Sequence, residues 1–572
     1  MPNHFFVILK SIFTKSNYMT RKLFFLFYLI LLFGISVNAQ SAKTPIANTA
    51  ATQALPKPKL VVGIVIDQMR WDYLYRFNNL YTANGFKSLL AEGFSCDNTF
   101  TPYTPTYTAP GHSCIYTGSV PAINGMVGNY WFDKTLNANV YCTDDSTVNT
   151  VGNKSDAGKM SPENMWTTTI TDELRLSNNF KSKVIGIAIK DRGAILPAGH
   201  SANAAYWYDD LGGKWISSTY YMNDLPVWVK DFNAKDMTGT YTSKDWNTLL
   251  PIEQYGLSTG DDMPYESTIP GEKTSTFPHK LSAIGESKYA SFRTTPYAST
   301  FTFDFAKKTI ENEKLGSNTV TDFLTLSLSS PDYIGHTFGP NSIEMEDAYL
   351  RLDRDIADFL QWLDQALGKG NYLAFLTADH GVAHIPTFLA EHKIPGGTFS
   401  NTDITKDINQ LAETKFGIKN VVLSVQNYQV YLNFTEIEKQ GKDRAAVVNE
   451  VIKLLKQKAY ILNVFETEKL ALATIPEPQK TMMANGYNPK RSGDIQFTFK
   501  PGYFDGSPKG TTHGLWNPYD SHIPLLFFGW GIQHGSTSRE TYMTDIAATL
   551  AAILKIQMPN GCVGKVITEI TK

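Results

Sequence analysis

Five short apolar runs punctuate the chain, at positions 60–66, 184–189, 323–328, 372–377 and 523–528. Most are continuous and not alternating, the pattern of strands buried on both faces of a parallel sheet. Between the third and fourth runs, Leu352, Ile356, Phe359, Leu360, Leu363 and Leu367 recur at spacings of three and four, which predicts an amphipathic helix. Gly368 and Gly370 supply its stop signal. Asp353, Arg354, Asp355 and Asp364 fall on the opposite side, so the acid-rich stretch EMEDAYLRLDRD reads as a solvated helix face. Two stretches break the strand–helix alternation. Positions 194–300, crowded with Tyr, Trp, Gly and Pro, predict an irregular cap; positions 395–476 predict a small α+β insertion. The expected fold class is α/β, a three-layer sandwich around a mixed, largely parallel sheet.

The N-terminus changes the compartment. Arg21 and Lys22 precede an apolar run at 23–37 that ends in Val37-Asn38-Ala39-Gln40, a signal-peptide pattern with cleavage after Ala39. That run is short for a membrane span. Met19 is an alternative start, because residues 1–18 add nothing that such a signal needs. Positions 40–59, rich in Ala, Thr and Pro, read as a flexible tether, and 60–572 as the folded domain. The expected location is therefore periplasmic or secreted. Such a compartment permits one or two disulfides among Cys96, Cys114, Cys142 and Cys562, whose wide spacing fits no zinc knuckle. A net charge of -2 supplies no basic field for nucleic acid or anionic lipid. A small-molecule substrate and a monomer are expected.

Candidate chemistry follows the predicted strands. Asp67 comes after the first, Lys190 and Arg192 after the second, Asp332 after the third, and Asp379-His380 after the fourth. Open parallel sheets bind ligands at the carboxyl ends of their strands, so residues far apart in sequence gather there. Asp332 and His336 are one helical turn apart and can face one ion. His513 sits in the glycine-flanked Gly510-Thr-Thr-His-Gly514. Three Asp and three His form the oxygen and nitrogen set that suits two zinc ions. His384 completes His-x-x-x-His with His380 but is surplus to two open sites, and His112, His392 and His522 read as structural. Thr108 lies in a hydroxyl-rich loop, Thr104-Pro-Thr-Tyr-Thr-Ala-Pro-Gly-His112, where a turn at Pro110-Gly111 would lift its hydroxyl to a helix N-terminus.

The ordered set Ile-Asp67-Gln, Thr108-Ala-Pro-Gly-His, Gly-Asn129-Tyr-Trp-Phe-Asp, Lys190-Asp-Arg192, Asp332-Tyr-Ile-Gly-His336, Ala-Asp379-His380-Gly and Gly-Thr-Thr-His513-Gly resembles the alkaline phosphatase superfamily, in particular its PafA-type bacterial phosphate monoesterases. The resemblance implies that Asp332, His336 and His513 hold one zinc and Asp67, Asp379 and His380 the other. It implies Thr108 as the nucleophile, itself among the metal-bound residues and bridging to substrate, and Asn129, Lys190 and Arg192 as phosphate contacts. Three ionised Asp offset most of the +4 of two zinc ions, and the two cations then favour a dianionic substrate. The nearest alternative is a nucleotide pyrophosphatase or phosphodiesterase, against which Lys190 and Arg192 count. A catalytically silent binding module is disfavoured by the intact ligand set.

Overall fold

The computed structural model describes residues 56–570; the signal peptide, the alternative start and most of the tether lie outside the described residues. The central sheet has ten strands: β1 (Leu60–Ile66), β2 (Phe94–Cys96), β3 (Thr150–Val151), β4 (Val184–Ala188), β5 (Ala204–Asp209), β6 (Lys214–Ser218), β7 (Asp322–Leu328), β8 (Tyr372–Thr377), β9 (Leu525–Gly529) and β10 (Gly535–Thr537). Their spatial order is β10-β2-β9-β8-β1-β7-β4-β5-β6-β3. The middle of the sheet, β8-β1-β7-β4-β5, is parallel throughout. β1, β4, β7 and β8 are buried at every residue, which is why the sequence shows runs there and no alternation.

The fifth apolar run behaves differently. Pro524 separates a two-residue strand, His522–Ile523, from β9, and β9 lies antiparallel to β8. The start of the expected cap also differs. Ala204–Asp209 and Lys214–Ser218 extend the main sheet as β5 and β6, and irregular turns and short helices follow. The aromatic AAYWYD of β5 is buried at all six residues, as bulky strand formers are when both faces are covered. Strands Val422–Gln426, Gln429–Leu432 and Ile461–Glu466 form a second, antiparallel sheet that Ile495–Phe499 completes from further along the chain.

Five helices matter for the site and its supports: α1 (Phe86–Glu92), α2 (Thr108–Thr117), α3 (Asp191–Ala198), α4 (Ser330–Phe338) and α5 (Ile343–Leu367). α5 corrects one expectation. Four of its acids are not solvated: Glu344, Glu346, Asp347 and Asp353 are buried, whereas Asp355 and Asp364 are half-buried and Asp358 is exposed. Asp347 accepts hydrogen bonds from Trp246 Nε1, Leu249 N, the Tyr255 hydroxyl and Arg351 Nε. Asp353 accepts from Thr82 N, Thr82 Oγ1 and Phe86 N, the first residue of α1. The charges serve as acceptors for neighbouring loops, because a buried main-chain N–H left without a partner is costly. All four cysteines are free thiols, and Cys96, Cys114 and Cys142 are buried.

Candidate active site

β1, β7 and β8 run in register, Ile66 beside Leu328 and Val65 beside Thr377, so their carboxyl ends are level. Asp67 leaves β1 with its N–H bonded to the Leu328 carbonyl. Asp379 and His380 leave β8, and Asp332 and His336 occupy successive turns of α4. His513 arrives on the loop before β9. Asp67, Asp379 and His380 bring ligand atoms within 4.8 Å of one another, and so do Asp332, His380 and His513. His336 Nε2 lies 3.2 Å from Asp332 Oδ1, and His513 Nε2 lies 3.5 Å from that same oxygen. The His380 and His513 rings stack at 3.5 Å between centroids. His384 stands apart from the cluster, bonded to Arg70 Nη1 and Asn341 Oδ1.

The histidines share one arrangement. Nδ1 of His336 donates to the Thr511 carbonyl, that of His380 to the Gly381 carbonyl and that of His513 to the Thr106 carbonyl, at 2.8, 2.9 and 2.8 Å. A carbonyl only accepts, so each neutral ring must carry its proton on Nδ1 and turn the Nε2 lone pair toward the carboxylates. Metal-binding histidines are oriented in this way. Burial lowers the pKa of His513 and takes that of His380 down to about 3, which keeps both lone pairs free; at His336 burial also lowers the pKa, but Asp332 outweighs it and raises it, so without a metal that ring favours its proton.

The carboxylates are divided by their surroundings. Burial, reinforced by Asp379, pushes Asp67 well above the usual carboxylate range, against the pull of Lys190. Burial also raises Asp332, but His336 and Lys190 outweigh it and hold that carboxyl well below the range. Asp67 Oδ1 and Asp379 Oδ2 are buried with no hydrogen-bond donor. Unpaired buried carboxylate oxygens are expensive, and a cation between them removes the cost.

Thr108 is the first residue of α2, its hydroxyl 3.5 Å from His380 Nε2. Pro110 and Gly111 do not form the expected separate turn; they lie within the first turn of the helix, where proline costs no hydrogen bond. Gly111 is needed for space, since a Cβ there would stand 2.6 Å from the Asp379 side chain and carbonyl. Asn129 Oδ1 accepts from Ala109 N at 2.9 Å and so caps the same helix end. Lys190 is not on a surface turn: its ammonium is buried, 2.7 Å from Asp67 Oδ2 and closer still to Asp332 Oδ2. Burial alone would lower its pKa, but these two carboxylates raise it. Arg192 Nη1 donates to the Tyr141 hydroxyl at 3.0 Å, and its Nε is buried without a partner.

Sequence reasoning passed over two residues at the site. His112 donates from Nδ1 to the Thr108 carbonyl at 2.9 Å, stands 3.4 Å from Asp379 Oδ2, and reaches Ser327 through Nε2. Its signal was the four-residue step from Thr108, one helical turn. Gln68 touches Asp332 and Asp379, as described below.

A family model described as type I phosphodiesterase / nucleotide pyrophosphatase matches residues 61–520. The chain belongs to this family. Alkaline phosphatase PhoV of Synechococcus elongatus is 51% identical over 544 residues, 95% of this chain and 98% of that protein. Alkaline phosphatase PafA of Elizabethkingia meningoseptica is 50% identical over 522 residues, 91% of this chain and 95% of that protein. A Myroides odoratus protein named calcium-transporting ATPase is 55% identical over 524 residues, 91% of this chain and 96% of that protein. Among the described residues, no helix is long and apolar enough to cross a membrane. The crystal structure of wild-type PafA matches with a TM-score of 0.89 at 50% identity, covering 91% of this chain and 100% of that one. The family fold, a large mixed sheet that is mostly parallel, is thus the fold of this chain.

Proposed function

We propose that this chain hydrolyses phosphate monoesters as an alkaline-phosphatase-type enzyme, through a Thr108 phosphoenzyme at a two-zinc site. The observation that carries this reading is the set of three histidines, each bonded through Nδ1 to a carbonyl and turning Nε2 toward three buried carboxylates, beside a hydroxyl at a helix N-terminus. The donorless oxygens of Asp67 and Asp379 fit bound cations. In the proposed division, Asp332, His336 and His513 would hold one zinc, and Asp67, Asp379 and His380 the other, with the Thr108 hydroxyl 3.5 Å from His380 Nε2. The ions, when bound, would supply Lewis acidity to the attacking and leaving oxygens.

The chain's own groups do the rest. Thr108 Oγ1 attacks phosphorus in line as the ester P–O bond breaks, the hydroxyl proton is given up and the leaving oxygen departs as the alcohol; water then hydrolyses the phosphothreonine, releasing inorganic phosphate and restoring the hydroxyl. Asn129, whose carbonyl is engaged by Ala109 N, has its amide nitrogen left to donate to a phosphoryl oxygen. Arg192, with its unpartnered Nε, presents a planar fork to another. Lys190 adds a fixed positive charge beneath them.

The names of the relatives PhoV and PafA support a monoesterase, whereas the family description also covers phosphodiesterases. Lys190 and Arg192 favour the monoester, whose third nonbridging oxygen a diester lacks. Export to the periplasm or beyond rests on the N-terminal sequence. The test is acid quenching during turnover of a phosphorus-labelled aryl phosphate. Label recovered as phosphothreonine at Thr108 supports the proposal, and label on another residue overturns it.

A further inference from the structure

We propose that Gln68 is a positioning residue that ties the two metal-binding groups to each other and fixes their separation, an inference that rests on the two-zinc reading. Gln68 directly follows Asp67 and is 1% exposed. Its main-chain N–H donates to Asp379 Oδ1 at 3.1 Å. Its side-chain Nε2 donates to Asp332 Oδ1 at 2.7 Å. Asp379 and Asp332 belong to different ligand clusters, so one residue holds a carboxylate of each. It does so from a left-handed backbone conformation, φ +67°, which non-glycine residues adopt at a cost and keep only where surrounding structure demands it.

The two grips are unequal. Asp379 Oδ1 also accepts from His380 N at 3.0 Å, so that carboxylate keeps a main-chain donor without Gln68. Asp332 Oδ1 faces the Nε2 atoms of His336 and His513, and its amide donor is Gln68. Lys190 engages the other oxygen, Oδ2. The Gln68 amide therefore sets the lone-pair direction of the oxygen that the two rings surround, as outer hydrogen bonds do for metal ligands.

Gly335 completes the device. A Cβ at Gly335 would lie 1.8 Å from Gln68 Oε1. Its φ is not in the left-handed region, so the glycine of Asp332-Tyr-Ile-Gly-His336 is there for space and not for conformation. The amide is clamped between that bare turn of α4 and Asp332. Glutamate at position 68 would add a fourth carboxylate in place of a donor.

The experiment uses full-length holoenzyme, with zinc per chain measured by elemental analysis after dialysis against graded chelator. Wild type is expected to keep two ions. Gln68→Met, close in shape but without a donor, should release one ion at a free-zinc level about 10- to 100-fold higher than wild type and hold the other within about threefold. Gly335→Ala, which displaces the amide without removing it, should do the same. The double variant should lose little more than either single one, because both act on one contact. Loss of both ions together in the single variants, no change in either, or fully multiplicative losses in the double would overturn this inference alone. Wild type holding no zinc would overturn the two-zinc reading and this inference with it.

Discussion

Thr108 owes its position to one neighbour a helical turn away and to two that are distant in sequence. Its carbonyl is held by His112, the next N–H of its helix is capped by Asn129, and its hydroxyl faces His380. Thr108→Ala removes the hydroxyl and the γ-methyl but none of the six Asp and His ligands, so zinc content should stay near two per chain while kcat/KM for a monoester falls about 10³-fold or more. Elemental analysis beside steady-state kinetics checks both halves. Lys190 and Arg192 require different handling. Because Lys190 pairs with Asp67 and Asp332, its removal disturbs the carboxylates as well as the substrate. Arg192→Ala is the cleaner probe of specificity. It should lower monoester kcat/KM by on the order of 10² to 10³ and change diester kcat/KM by less than about tenfold. Equal losses on both substrates would show that Arg192 supports the fold or binds phosphate without discrimination. Much of this was legible in the sequence, because a parallel strand delivers the residue after it to a known edge. The supporting residues were not. His112 acts on a main-chain carbonyl one helical turn back, and Gln68 acts through its own N–H and an amide that reaches Asp332, 264 residues away, contacts that residue type alone does not announce.

Helix α5 marks where element-level reading fails. The apolar spacing of Leu352, Ile356, Phe359 and Leu363 finds the helix, but periodicity cannot separate an acid facing water from an acid facing a loop of unpaired N–H groups. Asp353 is the second kind. Asp353→Ala would strand Phe86 N and Thr82 N and should cost roughly 2 to 4 kcal/mol. Chemical denaturation of the zinc-loaded protein measures this; a change under about 0.5 kcal/mol would mean that those donors find other partners. The β5–β6 pair was hidden for a related reason. Buried Tyr and Trp fill a strand as well as they fill an irregular cap, and the parallel pairing of β5 on β4 is a long-range fact. β1 and β8 were readable to the residue, because full burial on both faces imposes an apolar run with no polar interruption.

At the scale of the whole molecule, the stretch between β6 and β7 is tied to α5 by buried ionisable groups that set a pH limit. His279 is fully buried, with Nδ1 2.9 Å from Glu272 Oε2 and Nε2 3.3 Å from Glu344 Oε1. Burial lowers its pKa, but the two glutamates outweigh burial and raise it from 6.5 to about 9. A pKa higher folded than unfolded gives stability that is complete below pH 6.5 and lost as pH rises through 9. The loss is about 3 kcal/mol. Unfolding free energies measured from pH 6.5 to 9.5 should fall more steeply for wild type than for His279→Gln, and parallel curves would contradict this. Such a limit matters for a chain about 50% identical to alkaline phosphatases. The central claim is that the site is built for monoesters. Its most direct test is kcat/KM of the zinc-loaded wild-type protein on an aryl phosphate monoester and on the matching diester. A monoester preference on the order of 10³ or more is expected; equal rates, or a preference for the diester, would overturn the assignment.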